Sequence, residues 1–218
     1  MTATAKASVI KSLTGNKAAA VGAALCKPDL IAAYPITPQS SVVETLASMI
    51  ADGEIDSKMV QVESEHSAMS VVQGAAMAGG RTFTATSAQG LALMFEPYFR
   101  QSTLRLPMVM ALATREMTSP ETVFSGQQDA MSVREAGWMQ VYCENNQEIL
   151  DMIIQGYKIS ENSNVLLPLN VCYDGFYLSH LDERVEIPDQ EDVTDFVKTF
   201  ELKHLALDPR NPMSVDPM

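Results

Sequence analysis

The chain has 218 residues, 46% of them hydrophobic and 19% charged, with a net charge of −12. That length buries a real core, roughly 70% of the unfolded surface, in one large domain or two small ones. An acidic chain repels phosphate backbones, which argues against nucleic acid as a general partner, and no apolar run reaches the length of a membrane span.

Residues 1–14 form a polar lead-in without the long apolar stretch of a signal peptide, so the cytoplasm is the expected compartment. GNKAAAVGAALCKPD has helix composition and stops at Pro28. LIAAYP is a short apolar run ended by proline, which predicts a buried strand. In TPQSSVVETLASMIADGE, Thr37 is a candidate N-cap, Pro38 the first helical residue and Asp52-Gly53 the stop.

The cycle then repeats. KMVQVE predicts a strand and SEHSAMSVVQGAAMAGG a helix with a glycine exit. RTFTATS predicts a strand, and AQGLALMFEPYFRQST a helix with a kink at Pro97. RLPMVMALAT and GWMQVYCE are further strands, NNQEILDMIIQGYKISENS a patterned helix, and NVLLPLNVCYD the last strand. Residues 114–136 break the rhythm with a long polar segment, of the kind that is often functional. Beyond about residue 185 the pattern fades into an acidic, proline-bearing linker or docking tail.

Alternating strands and helices predict an α/β fold: a mostly parallel sheet of about six strands with helices on both faces, over residues 15–185. In such sheets ligands sit beyond the carboxyl ends of the strands. The segments expected there are YPITP, ESEH, TSAQG, TREM and DGFYLSH, each rich in hydroxyls, charges or glycine.

Common catalytic motifs are missing. There is no G-x-G-x-x-G after the first strand, no G-x-x-x-x-G-K-[ST], no G-x-S-x-G and no H-E-x-x-H. His66, His180, His204 and Cys26, Cys143, Cys172 show no metal-ligand spacing, and the scattered cysteines cannot hold an iron–sulfur cluster. Three buried free thiols are expected instead. An enzyme built with this chain would therefore take only part of its site from it.

Four blocks carry a family resemblance: YPITPQSSVVETLA at 34–47, the long block from SEHSA to ALATR at 64–115, GWMQVYCENNQEILDMIIQGYKISE at 137–161, and LPLNVCYDGFYLSH at 167–180. Over about residues 15–200 the chain resembles the alpha subunit of the 2-oxoacid:ferredoxin oxidoreductases, pyruvate:ferredoxin oxidoreductase among them, and specifically the N-terminal domain that binds the thiamine pyrimidine. The resemblance implies oxidative decarboxylation of a 2-oxoacid with thiamine diphosphate, electrons passing through iron–sulfur clusters to ferredoxin, and an acyl-CoA as the usual product. It also implies a beta subunit holding the diphosphate group and its Mg²⁺, and gamma and ferredoxin-like delta subunits or their equivalents. The thiamine fold, the shared cofactor and the cluster-bearing partners are all expectations of this kind.

From the residues alone, Glu63 and Glu65 are equivalent acids at a strand-to-helix junction, and helix capping accounts for either. The resemblance separates them. It assigns Glu65 as the carboxyl group bonded to N1′ of the aminopyrimidine, which favours the imino tautomer that takes up the thiazolium C2 proton. Proton relays of this kind contribute ~10²–10⁴ in rate. It places Thr37 and Arg115 on the substrate carboxylate, where a guanidinium offers a planar fork. Pro35, Ile36, Ser87, Gln89 and Gly90 fall in its cofactor-lining blocks. For Thr37 a cap, for Arg115 a surface ion pair, and for TSAQG a simple turn remain the alternatives. His66 is read as structural, and Asp174-Gly175-Phe176 as a turn.

The stretch EMTSPETVFSGQQDAM after Arg115 departs from the pyruvate-type pattern, so an aryl 2-oxoacid such as phenylglyoxylate stands beside pyruvate as a substrate. Two rival readings stay open: a thiamine decarboxylase or transketolase-like component without iron–sulfur chemistry, and a non-catalytic assembly subunit.

Overall fold

The computed structural model describes residues 8–118, 123–201 and 210. Six strands form one parallel sheet in the order β3-β2-β4-β5-β7-β6. They are β2 (Leu30–Ala32), β3 (Lys58–Val60), β4 (Thr82–Thr86), β5 (Val109–Thr114), β6 (Met139–Tyr142) and β7 (Leu169–Asp174). This is the α/β architecture that the alternating pattern implies.

The central strands are buried on both faces, which is why their sequences run apolar without a break. Along β5, Val109, Ala111 and Ala113 enter one core while Met110 and Leu112 enter the other. Helices α1 (Gly15–Leu25), α2 (Ser40–Ala51) and α7 (Asn146–Ser160) cover the first face. Helices α3 (Glu65–Met77), α4 (Ala88–Leu93), α5 (Phe95–Thr103) and α6 (Gln128–Ser132) cover the second. Small residues let α1 lie close, since Ala18, Ala19, Ala20 and Ala23 are wholly buried. The thiols Cys26, Cys143 and Cys172 are free and buried, and burial pushes Cys26 and Cys143 up to about 12.

Three local expectations are corrected. Thr37 is not a helix cap and Pro38 is not helical, because α2 starts at Ser40. The Thr37-Pro38 peptide is cis, Gln39 N–H closes a turn onto Ile36 O at 2.9 Å, and Asn16 Nδ2 donates to Pro38 O at 2.6 Å. Those bonds commit residues 36–39 to a turn. Pro97 makes no kink: the chain breaks earlier, at Met94, and Pro97 lies in the first turn of α5, where a missing N–H leaves no intrahelical bond unmade.

The third correction concerns the ends. Residues 9–14, read as polar lead-in, form strand β1 (Val9–Thr14), paired antiparallel with β8 (Asp182–Ile187). Helix α8 (Gln190–Val197) follows within the stretch read as a linker. Alternation of side chains along β1 is masked because only Leu13 of it is buried. Pairing with a distant strand, 168 or more residues away in sequence terms, is invisible to local pattern.

Candidate functional site

The chain leaves β2 to form β3 on one side, then returns to form β4 on the other side of β2. That reversal opens a crevice beyond the carboxyl ends of β2 and β4, where open α/β sheets bind ligands. The residues singled out from the sequence converge there.

Ser64 caps α3 by accepting the Ser67 N–H at 3.2 Å, which makes Glu65 the first helical residue. Glu65 is buried, 7% exposed. Glu63 lies in the bend after β3, exposed, and accepts the Ser67 hydroxyl at 2.6 Å. That bond holds its carboxyl below the usual range. Glu63 thus closes the helix start, while Glu65 turns inward.

Glu65 packs on α4. A Cβ added at Gly90 would lie 2.8 Å from Glu65 Oε1 and would also strike the Thr86 hydroxyl, so only glycine admits the carboxyl here. The buried hydroxyls Thr86 Oγ1 and Ser87 Oγ have no hydrogen-bond partner among the described residues. Ser87 occupies the N-cap position of α4, yet its side chain makes no capping bond. A buried hydroxyl without a partner carries a desolvation cost that a bound polar group would offset.

Arg115 follows β5 and bridges two other segments. Its Nη1 donates to Thr37 O at 2.6 Å and its Nη2 to Gln89 Oε1 at 2.6 Å. Both acceptors are neutral, Nε is buried without a partner, and no ion pair of Arg115 occurs among the described residues. Gln89 also donates to Met117 O. The guanidinium is therefore held in place with its charge uncompensated, which suits an anion. Thr37 joins it through the backbone carbonyl. Pro35 is exposed and lines a groove of about 390 Å³ with Tyr34, Val43, Met59 and Val62; half-buried Ile36 serves the turn beside it.

His66 is half exposed and faces Glu96 at 3.8 Å, on the surface rather than in the crevice. Asp174 ends β7, and Gly175 and Phe176 begin the turn after it. Gly175 N–H donates to Thr114 O at 2.9 Å, and a Cβ on Gly175 would lie 2.8 Å from Pro38 Cγ. Ser125 N–H donates to Gly175 O at 2.8 Å, which brings residues 123–126 across this edge, with Phe124 and Phe176 rings 4.5 Å apart.

Asp129 was not singled out by any motif. It lies in the polar segment GQQDAM, is wholly buried, and accepts N–H bonds from Ala88, Arg115 and Ala130. Burial pushes its carboxyl up to about 6 against the lowering effect of those bonds. No group of His, Cys, Asp and Glu among the described residues is arranged to hold a metal ion. No helix among them is long and apolar enough to cross a membrane.

A glycine cradle for a buried carboxyl, two unpartnered hydroxyls and an uncompensated guanidinium fit an aminopyrimidine and an acid substrate. Comparison with known proteins gives the same direction. Residues 21–218 match the family described as pyruvate flavodoxin/ferredoxin oxidoreductase, thiamine diphosphate-binding. The chain is 56% identical over 205 residues to the alpha subunit of NADH-dependent phenylglyoxylate dehydrogenase of Aromatoleum evansii, covering 94% of this chain and 49% of that one. It is 52% identical over 209 residues to pyruvate synthase subunit PorA of Methanocaldococcus jannaschii, covering 96% and 54%. A solved 2-oxoglutarate:ferredoxin oxidoreductase from Magnetococcus marinus, with 2-oxoglutarate, coenzyme A and succinyl-CoA bound, superposes with a TM-score of 0.74 at 26% identity, over 86% of this chain and 32% of that one. The chain spans about half the length of the curated relatives it matches.

Proposed function

The chain belongs to the pyruvate flavodoxin/ferredoxin oxidoreductase, thiamine diphosphate-binding family, and from that premise we propose that it supplies the pyrimidine half of a thiamine site in a complex that oxidatively decarboxylates a 2-oxoacid. The observation that carries this reading is the inward turn of Glu65 onto Gly90 at the sheet's switch point.

Thiamine diphosphate, when bound, supplies an acidic thiazolium carbon that becomes the nucleophile toward the 2-oxoacid carbonyl. The chain's own residues do the rest of the work on this side. Glu65, buried at the start of α3, hydrogen-bonds N1′ of the aminopyrimidine and holds a proton there. Ser87, at the start of α4, and Gln89 and Gly90 within it line the ring, and Pro35 and Ile36 belong to the cofactor-side loop after β2. Arg115 takes the substrate carboxylate with its uncompensated guanidinium, and Thr37 and Gln89 hold that fork in place.

The beta subunit carries the diphosphate and Mg²⁺ in this reading, and cluster-bearing gamma and delta partners pass electrons to ferredoxin or another acceptor in the cytoplasm, with coenzyme A accepting the acyl group. The absence of a phosphate loop and of metal-ligand spacing in the sequence supports that division.

Glu65→Gln in the assembled complex is the test. Turnover, assayed with pyruvate and with phenylglyoxylate and a dye acceptor, should fall by ~10²-fold or more. Turnover within about twofold of wild type would refute the proton role and favour an assembly subunit. A wild-type complex that decarboxylates the 2-oxoacid but reduces no acceptor would instead favour a thiamine enzyme without electron transfer.

A further inference from the structure

Asp129 is a wholly buried carboxylate to which the chemistry above gives no task. Its Oδ2 accepts two backbone N–H groups, from Ala88 at 2.9 Å and from Arg115 at 3.1 Å. Its Oδ1 accepts the Ala130 N–H at 2.8 Å. One oxygen atom thus joins the first residue of α4 to the residue that follows β5.

Those two segments present the cofactor side and the substrate side of the site. Their strands are paired in the sheet only as far as Thr86 opposite Leu112. Past that point no ladder bond sets their spacing. At the surface they meet again through Arg115 Nη2 and Gln89 Oε1. Beneath that contact lies the Asp129 carboxylate. Ala88 has φ +40, a left-handed conformation unusual for alanine, and its N–H is the group that Asp129 captures. A carboxylate suits the task because it has lone pairs for all three donors and strengthens each bond by its charge.

We propose that Asp129 is a positioning residue that sets the separation between the Ser87–Gly90 turn and the Arg115 guanidinium, and so tunes the grip on the substrate carboxylate. This rests on the assignment of Arg115 to that carboxylate.

The titratable groups around Asp129 are few. Cys172 on β7 and Tyr142 on β6 feel its charge, and burial holds both in their neutral forms near neutral pH. Arg115 and Glu116 follow β5, α4 carries no titratable side chain, and α6 carries none besides Asp129 itself. Since the Asp129 carboxyl is pushed up to about 6, it is ionised above that pH and gains a proton below it. Protonation removes an acceptor from the converging N–H groups. The grip on the 2-oxoacid should then weaken as pH falls through about 6, a range in which the substrate stays ionised.

The experiment uses the assembled complex with Asp129→Asn. KM for the 2-oxoacid should rise about tenfold or more while kcat at saturating thiamine diphosphate changes less than about threefold, the pattern of lost substrate binding. Wild-type KM should rise below pH 6, and the variant's KM should be flat across pH 5–8. A variant with wild-type KM overturns the inference, including one whose apparent kcat falls only in proportion to a loss of folded complex. If the variant fails to assemble, the wild-type profile decides: a KM that does not change between pH 5 and 8 overturns it. Failure of the underlying assignment is separate, since an Arg115→Ala complex would then keep wild-type KM whatever Asp129 does.

Discussion

At the scale of single residues, the site depends on which of two acids turns inward. Glu63 is taken up by Ser67 and Glu65 is not, because Ser64 starts the helix between them and the first helical position points into the crevice. Gly90 completes this arrangement by leaving room for the carboxyl. Gly90→Ala should therefore displace Glu65 more than it disturbs the fold. The expected loss in kcat/KM is about 10²-fold, the scale of a roughly 1 Å misplacement, against a cost of about 1–3 kcal/mol for overpacking. Steady-state kinetics beside a urea melt checks this; a large loss of stability with kinetics intact in the folded fraction would be evidence against it. SEHSA and TSAQG were legible as a ligand edge from the sequence, since hydroxyls, acids and glycine cluster after apolar strands. Asp129 was not legible. Three backbone N–H groups converge on it, from the first residue of α4, from the residue after β5 and from its own helix, and no residue type in GQQDAM announces that.

Elements were easiest to read where one face decides them. Helix α7 buries Ile149, Leu150, Ile153 and Ile154 at helical spacing, with Asn145 capping it through the Glu148 N–H at 2.9 Å. The start of α2 and the break between α4 and α5 were harder, because backbone turns and a tolerated first-turn proline set them rather than side-chain period. Strand β1 was hardest. Asn146 ties it down: its Nδ2 donates to Leu13 O at 2.9 Å and to Leu181 O at 2.7 Å, joining α7 to both sides of the ribbon. Asn146→Ala leaves two carbonyls without these donors and should cost about 1–3 kcal/mol. Amide hydrogen exchange should show residues 9–14 losing protection ahead of the main sheet. Unchanged protection there would mean the ribbon is held by its own ladder.

For the whole molecule, the parallel sheet separates chemistry from anchoring. The carboxyl edge holds Thr37, Glu65, Ser87 and Arg115. The amino end holds Arg81, whose Nε and Nη2 bind Glu161 at 2.6 and 2.7 Å while its other donors reach Cys26 O and Lys198 O at 2.8 Å. This largely buried fork links the ends of α1, α7 and α8. Arg81→Ala would strand the Glu161 charge and should destabilise the chain by about 3–5 kcal/mol, with catalytic parameters of the surviving complex unchanged. A denaturation midpoint equal to wild type would show that water replaces the guanidinium freely. The sequence by itself determined the class of fold and the edge on which ligands gather, because strand and helix periods are local and every parallel strand ends on the same side. The resemblance already singled out Glu65; only the tertiary structure decided which strand a terminal segment pairs with and which buried carboxylate joins α4 to the residue after β5, because each depends on groups far apart in the chain meeting at hydrogen-bond distance.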